Sequence, residues 1–224
     1  MEITENVHLI PNIIANPYLI IDPDGLTLID AGLPGSHKKI LGYIYGLGHS
    51  ASDLKRIIIT HADMDHVGGL SAIKKACSAR VYASAIESDA MSKGVPSRKI
   101  KSRNSLRRLL MGVASLIMKA RPIPADEIIK EGQILPVLGG LHVLETAGHT
   151  PGHISLFSPS TGILFTGDSI ISHHEELSRS LPQLTWDEAN ADEAARKQAA
   201  LGAHIVCPGH GPVIKEAINK FPKI

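Results

Sequence analysis

The amino-acid sequence predicts an α/β protein. Short apolar segments rich in β-branched residues alternate along the chain with segments of helical spacing, as expected for stacked layers of sheet and helix. The length of 224 residues fits one domain, or at most two small ones. Apolar residues form 43% of the chain, which is enough for a large hydrophobic core. We therefore expect residues 1–224 to form a single domain, with a basic insertion at about 93–121.

The composition argues against several classes of protein. A net charge of +1 with this apolar content disfavours a disordered chain and a protein that coats nucleic acid. Aromatic residues, at 4%, are too few for a base-stacking platform, and two cysteines rule out a disulfide scaffold. The acidic N-terminus does not resemble a signal peptide, and the sequence lacks a long apolar run. We expect a cytoplasmic protein that acts on a small molecule, with no nucleic-acid partner and no membrane span.

The elements follow from the hydrophobic pattern. Asp22-Pro23-Asp24-Gly25 predicts a tight turn between two strands, because proline presets φ and glycine accepts a positive φ. The expected strands are 7–14, 18–21, 26–29, 56–60, 81–84, 134–138, 141–145, 153–158, 163–166 and 204–207. The expected helices are 36–47, 68 to just before 80, 105–119 and 187–201.

Residues 93–121 differ from the rest of the chain, because they hold nine basic residues and no Asp or Glu. The apolar side chains between 106 and 117 have helical spacing and need an apolar neighbour. A lid over the site or a homodimer contact is therefore favoured over a solvated basic linker. Two further interpretations are that the segment attracts an anionic substrate or that it forms a helix on a membrane surface. The membrane-surface helix is the least favoured of these interpretations.

The densest cluster of potential metal ligands follows the strand 56–60. His61, Asp63, Asp65 and His66 lie within six residues, between that strand and a helix. A loop of this kind points its side chains at one spot. For a single Asp-His pair, a helix N-cap with solvent-facing histidines would be the better interpretation. Four potential ligands in this spacing favour a metal site instead.

Three further turns each carry one potential metal ligand, and each contains glycine near a strand end. They hold His149 in 148–153, Asp168 in 166–169 and His210 in 208–211. Glycine permits the close backbone approach that a metal site requires. A structural turn explains any one of them alone, but the four segments together predict a metal centre.

These residues resemble the metal motifs of the metallo-β-lactamase-fold hydrolases, and the resemblance covers about residues 7–213. Asp30 is similar to that family's early buried Asp. The resemblance implies a four-layer αββα sandwich with two divalent metal ions, preferably zinc, at one edge of the sheets. It assigns His61, Asp63 and His149 to the first metal and Asp65, His66 and His210 to the second, with Asp168 bridging them.

One position departs from the family motif His-x-His-x-Asp-His, because Asp63 stands where the second histidine is usual. Two histidines and a carboxylate suit zinc and also iron or manganese. The additional negative charge is expected to raise the pKa of the bridging water. Asp65 is the candidate catalytic residue that orients the nucleophile or moves its proton, although a purely ligating role is equally compatible. Asp30 and His153 are candidates for supporting the ligands.

The resemblance implies a metal-dependent hydrolase that acts on a small ester, lactone or thioester. Two alternatives stay open. The first is a non-haem iron oxidoreductase of the persulfide dioxygenase type, which the ligand set of the first site favours. The second is a metal-poor binding protein, in which Asp63 impairs one site.

Overall fold

Two β-sheets pack face to face, and helices cover the outer face of each. The structure, a computed structural model, describes residues 1–98 and 120–222. Its buried apolar side chains form one cluster between the two sheets and one on the outer side of each sheet. The layers therefore run helix, sheet, sheet, helix, which is the predicted αββα sandwich.

The first sheet contains seven strands in chain order within the described residues. Strands β1 to β4 are antiparallel to one another, whereas β4 to β7 are parallel. The strands are β1 (Glu2–Thr4), β2 (Val7–Leu9), β3 (Tyr18–Asp22), β4 (Gly25–Ile29), β5 (Leu54–Ile58), β6 (Arg80–Ala83) and β7 (Glu127–Ile128).

The second sheet has the strand order β15-β14-β11-β10-β9-β8 in the same part of the chain. Only β11 and β14 pair in parallel there. A separate antiparallel hairpin, β12–β13, follows β11. The strands are β8 (Ile134–Leu135), β9 (Leu141–Glu145), β10 (Ile154–Ser158), β11 (Ile163–Gly167), β12 (Ile170–His173), β13 (Glu176–Arg179), β14 (Ile205–Pro208) and β15 (Ile214–Lys215).

Five α-helices lie within the described ranges. Helix α1 buries Ile40 and Ile44, which are four residues apart and so share one face. Asp187 caps the N-terminus of the last of these helices, because its side chain accepts a hydrogen bond from the backbone N–H of Asn190. The helices are α1 (His37–Gly46), α2 (Met64–Val67), α3 (Leu70–Ala76), α4 (Ala85–Lys93) and α5 (Glu188–Ala199).

Side chains that alternate between the two faces of each strand form the apolar layers on either side of the sheets. In β3, Tyr18 and Ile20 face the second sheet, whereas Leu19 faces the helices of the first. In β10, Leu156 enters the cluster between the sheets and Phe157 enters the cluster under α5. Both faces of these strands are buried, which explains their nearly continuous apolar sequence.

Most of the expected elements are present, with differences that backbone chemistry explains. The strand expected over 7–14 ends at Leu9, because Pro11 has no N–H to donate and Asn12 has φ 63°. The strand expected over 134–138 ends at Leu135, before Pro136 and before Leu138 with φ 49°. The helix expected from 68 to just before 80 is the shorter α3, and the one-turn helix α2 precedes it. The helix expected over 105–119, with its possible lid or dimer contact, lies outside the described residues.

The site lies where strand ends from both sheets meet. Strands β4, β5, β11 and β14 lead directly into the segments that carry Asp30, His61, Asp168 and His210. Ligand sites in α/β proteins commonly form outside the carboxyl ends of strands. Among the described helices, none is long and apolar enough to cross a membrane.

Candidate metal centre

Seven side chains converge at this edge, and they are the seven that the sequence suggested. The turn after β5 and the first residues of α2 supply four of them, and three other turns supply one each. They fall into overlapping groups whose nitrogen and carboxylate oxygen atoms lie within 4.8 Å of one another: His61, Asp63 and His149; Asp65, His66 and His210; and His61, His66 and Asp168.

Distances within the first group match the spacing of ligands around one ion. His149 Nε2 lies 3.2 Å from Asp63 Oδ2, and His61 Nε2 lies 3.7 Å from the same oxygen. Ligands at about 2.0–2.1 Å from a tetrahedral ion are separated by roughly 3.3–3.4 Å.

The second group has similar spacing. His210 Nε2 lies 3.2 Å from Asp65 Oδ2. Asp168 faces both groups, because its Oδ2 lies 3.6 Å from His149 Nε2 and 3.4 Å from His210 Nε2. A single carboxylate is therefore positioned between the two groups.

Three atoms at the heart of the cluster are left without a hydrogen bond. His61 Nε2, His66 Nε2 and Asp168 Oδ1 are buried and have no hydrogen-bond partner among the described residues. Buried polar atoms are nearly always satisfied, so an unsatisfied group of this kind requires an explanation. Two imidazole lone pairs and a carboxylate oxygen that face one another fit the donor set of a divalent metal ion.

Asp30 determines which nitrogen of two histidines is free. Its Oδ2 lies 2.8 Å from His66 Nδ1 and accepts a 2.8 Å hydrogen bond from the Thr60 hydroxyl. The Thr60 oxygen in turn lies 3.0 Å from His61 Nδ1 and accepts from it. Both imidazoles therefore hold a proton on Nδ1, so the neutral form of each ring presents the lone pair of Nε2 to a metal.

His149 is oriented by different neighbours. Its Nδ1 lies 2.8 Å from Ser180 Oγ, and its Nε2 lies 3.0 Å from an Arg98 nitrogen, Nη2. Because a guanidinium only donates, His149 Nε2 accepts, and the ring proton is on Nδ1. Burial lowers the pKa of His149, which keeps the ring neutral and is consistent with this arrangement.

His153 supports Asp168 and is not among the groups that surround the centre. Its Nε2 accepts a 3.0 Å hydrogen bond from the Asp168 backbone N–H, and its Nδ1 lies 2.8 Å from Thr146 Oγ1. Burial, reinforced by the nearby ring of His61, lowers the pKa of His153 well below its usual value. The ring therefore stays neutral and fixes the turn that carries Asp168.

Two glycines permit the close approach that the sequence predicted. A Cβ at Gly209 would lie 2.3 Å from Asp168 Oδ1, and one at Gly167 would lie 2.7 Å from His153 Nε2. Gly167 also has φ +50°, which disfavours a side chain. Any larger residue at either position would displace the Asp168 carboxylate or its support.

Glu87, which the sequence did not single out, ties the ligand loops together. Its carboxylate is buried and accepts hydrogen bonds from the backbone N–H groups of Ala62 and Gly152, at 2.8 Å and 3.0 Å. It also accepts from the hydroxyls of Thr150 and Ser97. One side chain of α4 thus anchors both the His61 loop and the His149 turn.

In the metal-free protein, the charged groups of the centre shift one another's pKa values. Burial alone would raise the pKa of Asp168, but His66 and His210 hold it well below its usual range. Burial lowers the pKa of His210, but Asp168 and Asp65 outweigh it and raise that pKa to about 9. The metal-free cluster therefore holds its carboxylates ionised and shares protons among its histidines.

One side of the centre is open to solvent. The side chains of His61 and His66 are fully buried, whereas those of Asp65 and His210 are 29% and 32% exposed. Approach is therefore possible past Asp65 and His210. The alternative in which the histidines of the cluster face solvent is wrong, because His61 and His66 have no exposed surface and Asp63 makes no capping hydrogen bond.

Comparisons with known proteins agree with this geometry. The family model described as the Metallo-beta-lactamase superfamily matches residues 11–210. The probable metallo-hydrolase YflN of Bacillus subtilis (strain 168) is 29% identical over 232 residues, which cover 94% of this chain and 85% of that protein. A hydroxyacylglutathione hydrolase of Cereibacter sphaeroides is 29% identical over 161 residues, which cover 70% of this chain and 48% of that protein. The match thus spans about half the length of the latter.

A solved structure gives the same fold. The crystal structure of a metallo-beta-lactamase family protein from Thermus thermophilus aligns with a TM-score of 0.76 at 21% identity. The alignment covers 98% of this chain and 78% of that one. At this level of identity, the likeness shows the fold alone.

Proposed function

The chain belongs to the metallo-β-lactamase superfamily, and on that premise we propose that it is a metal-dependent hydrolase that cleaves a small ester, lactone or thioester. The observation that carries the proposal is the cluster of three buried atoms without hydrogen bonds among the described residues, His61 Nε2, His66 Nε2 and Asp168 Oδ1. Four further ligand-capable side chains surround them.

The proposed centre holds two divalent ions. His61, Asp63 and His149 would bind the first, and Asp65, His66 and His210 the second, with Asp168 between them. We favour zinc, and iron or manganese also suits the two histidines and one carboxylate of the first group. When bound, such ions polarise a carbonyl oxygen and make a water nucleophilic near neutral pH.

The protein's own contribution is orientation and proton handling. Asp30, Ser180 and Thr60 fix the tautomers of His66, His149 and His61, so these three rings need not reorient when an ion binds. Asp65 lies on the open side of the centre, where burial would raise its pKa but contact with His210 helps to hold that pKa below the usual value. It therefore remains a carboxylate, which can orient a nucleophile or accept its proton while it ligates an ion.

Among the candidate substrates, thioesters are favoured. A hydroxyacylglutathione hydrolase is a relative at 29% identity, although this chain spans only 48% of that protein. The open side of the centre is polar and lies next to solvent, which suits a small acyl compound that enters at one end.

The experiment is a comparison of substrates with protein freed of metal and then reloaded with zinc. We expect the loaded protein to hydrolyse a small thioester, oxyester or lactone at about a hundredfold or more over the metal-free form. His210→Asn should lose this activity, whereas the matched control His173→Gln, at an exposed position, should keep it. Cleavage of phosphodiesters alone would contradict the proposed substrate class.

The non-haem iron oxidoreductase is the second candidate, and the first group's two histidines and one carboxylate favour it. The complete second group of Asp65, His66 and His210 weighs against it. One iron per chain with oxygen consumption would establish this alternative, whereas two zinc ions with hydrolysis would exclude it. The metal-poor binding protein is distinguished by less than one ion per chain after reconstitution.

A further inference from the structure

Arg98 lies inside the first ligand group. Its Nη2 donates to Asp63 Oδ2 and, at 3.0 Å, to His149 Nε2. These are two of the three atoms that would bind the first ion. The Arg98 side chain is only 4% exposed, so the guanidinium is enclosed at this position and does not lie over the mouth of the centre.

The guanidinium and an ion require the same lone pairs. Arg98 has no acceptor and stays charged at any ordinary pH, so its Nη2 consumes the Asp63 and His149 lone pairs that it contacts. An ion bound to Asp63 Oδ2 and His149 Nε2 would lie about 2 Å from each of them. Arg98 Nη2 contacts the same two atoms, so it would overlap with the ion. Sterics and like-charge repulsion therefore exclude simultaneous occupancy.

The charge of Arg98 is paired with a carboxylate, but one of its N–H groups lacks a hydrogen bond among the described residues. Burial would raise the pKa of Asp63, but contacts that include His149 and Arg98 hold it well below its usual value. Arg98 Nε, however, is buried and has no hydrogen-bond partner among the described residues. A buried donor without a partner lowers the stability of that state, which eases the departure of the side chain.

The residue before Arg98 is anchored. Ser97 Oγ donates a 2.8 Å hydrogen bond to Glu87, the same carboxylate that anchors the ligand loops. With Ser97 held in this way, displacement of the guanidinium from the group requires changes in the side-chain torsions of Arg98 and no movement of Ser97.

We propose that Arg98 is a tethered cation that competes with the first metal ion. It neutralises Asp63 and holds Asp63 and His149 together in the metal-free protein, and it must swing out before that group binds an ion. The group of Asp65, His66 and His210 contains no arginine in the described chain, so loss of Arg98 should strengthen the first group alone. This inference rests on the proposed metal centre and specifies which side chain must leave its first group before an ion binds.

The first test is a zinc titration of metal-free protein by calorimetry, with a competing chelator. We expect two affinities in the wild type. Arg98→Gln should strengthen one of them by about tenfold or more and leave the other within about twofold. Arg80→Gln, which removes an exposed arginine paired with Glu127, is the matched control and should change neither.

The outcomes separate this inference from the proposed function. Two ions bound by both proteins with unchanged affinities would overturn the role of Arg98 and leave the metal centre intact. A weaker first site in Arg98→Gln would also overturn it, because Arg98 would then assist binding. If neither protein bound metal, both proposals would be wrong.

A second test uses the wild-type chain and does not depend on folding of a variant. An arginine-specific dicarbonyl reagent should modify Arg98 slowly in metal-free protein and several times faster after zinc saturation, as measured by peptide mass spectrometry. Equal protection of Arg98 in both states would contradict its displacement.

Discussion

His66 Nδ1 lies 2.8 Å from Asp30 Oδ2, and this contact orients the imidazole of His66 within the second group. Asp30 directly follows β4 with φ 59°, a conformation that is uncommon for a residue other than glycine. In this conformation its two oxygens also accept from the N–H and hydroxyl of Thr60. The turn therefore orients His66 directly and His61 through Thr60.

Asp30→Asn should weaken metal binding although Asp30 contacts no ion. The amide would present N–H groups to donors on His66 or Thr60, so the tautomer of His66 would no longer be fixed. We expect affinity at the second group to fall about 10–100-fold in a chelator competition assay. Asp24→Asn, at an exposed carboxylate paired with Arg56, is the control and should leave affinity unchanged. Wild-type affinity in Asp30→Asn would show that the contact only ties the loop.

Glu87→Gln should destabilise the metal-free protein and weaken its first group. The Glu87 carboxylate accepts from several donors, including the Ala62 backbone N–H. A glutamine amide would place its own N–H group against at least one of these donors, and that hydrogen bond would be lost. Loss of one hydrogen bond to a charged group costs about 1.5–3 kcal/mol of the free energy of unfolding, measurable by denaturant titration. Asp89→Asn, on the exposed face of the same helix, should change it by less than about 0.5 kcal/mol. Equal effects of the two variants would remove the special role of Glu87.

Metal affinity should rise with pH because His210 must lose a proton to ligate. Burial lowers its pKa, but Asp168 and Asp65 raise it to about 9 in the folded, metal-free protein, above the ordinary 6.5. Below that value, apparent affinity at the second group should fall about tenfold per pH unit. A pH series of zinc titrations measures this, and a flat profile between pH 7 and 9 would contradict the assignment of His210.

The same shift predicts how stability depends on pH. A pKa raised on folding stabilises the metal-free protein fully below pH 6.5, and this contribution is lost as pH rises through about 9. The melting temperature of metal-free protein should therefore decline across that interval. Zinc-loaded protein should lack this decline, since its His210 is already deprotonated. His210→Asn should remove the decline as well.

Asp63→His tests the departure from the family motif. Asp63 adds a negative charge to the first group, which should raise the pKa that governs the rate of hydrolysis. In the wild type, the rate of hydrolysis should keep rising with pH into the alkaline range. In Asp63→His, this rising limb of the pH profile should move to lower pH. The comparison requires pH profiles at equal metal content. A limb that stayed in place would show that Asp63 does not influence the nucleophile, and a limb at higher pH would reverse the charge argument.

The sequence could bring the candidate ligands together because their pattern is local. His61 to His66 occupy six consecutive positions after an apolar strand, and the remaining ligands lie on glycine-containing turns at strand ends. Strands β9 and β10 were predicted almost to the residue, since each is mostly apolar and lies between glycine- or proline-containing turns. Hairpin β12–β13 was not predicted, because its polar, histidine-containing segment lacks an apolar alternation.

The supporting residues could not be predicted from local pattern. Helix α4 was not among the expected helices, and Ser84 and Glu87 have only the spacing of a capping box, in which the Glu lies at the exposed start of a helix. The structure instead turns Glu87 inward, to backbone groups 25 and 65 residues away in the chain. Arg98 belongs to the basic segment for which the sequence favoured a lid or a dimer contact, and only the three-dimensional arrangement brings it against Asp63 and His149.

The most direct test measures metal content and hydrolysis rate together in the same samples of wild type and the variants His61→Ala, His66→Ala, His149→Ala and His210→Ala. The protein should be purified without chelators or a histidine tag and reconstituted with zinc. We expect about two ions per chain in the wild type, with metal content and rate reduced together in each variant. A variant that kept both full metal content and full rate would contradict the assignment of that histidine as a ligand of the centre.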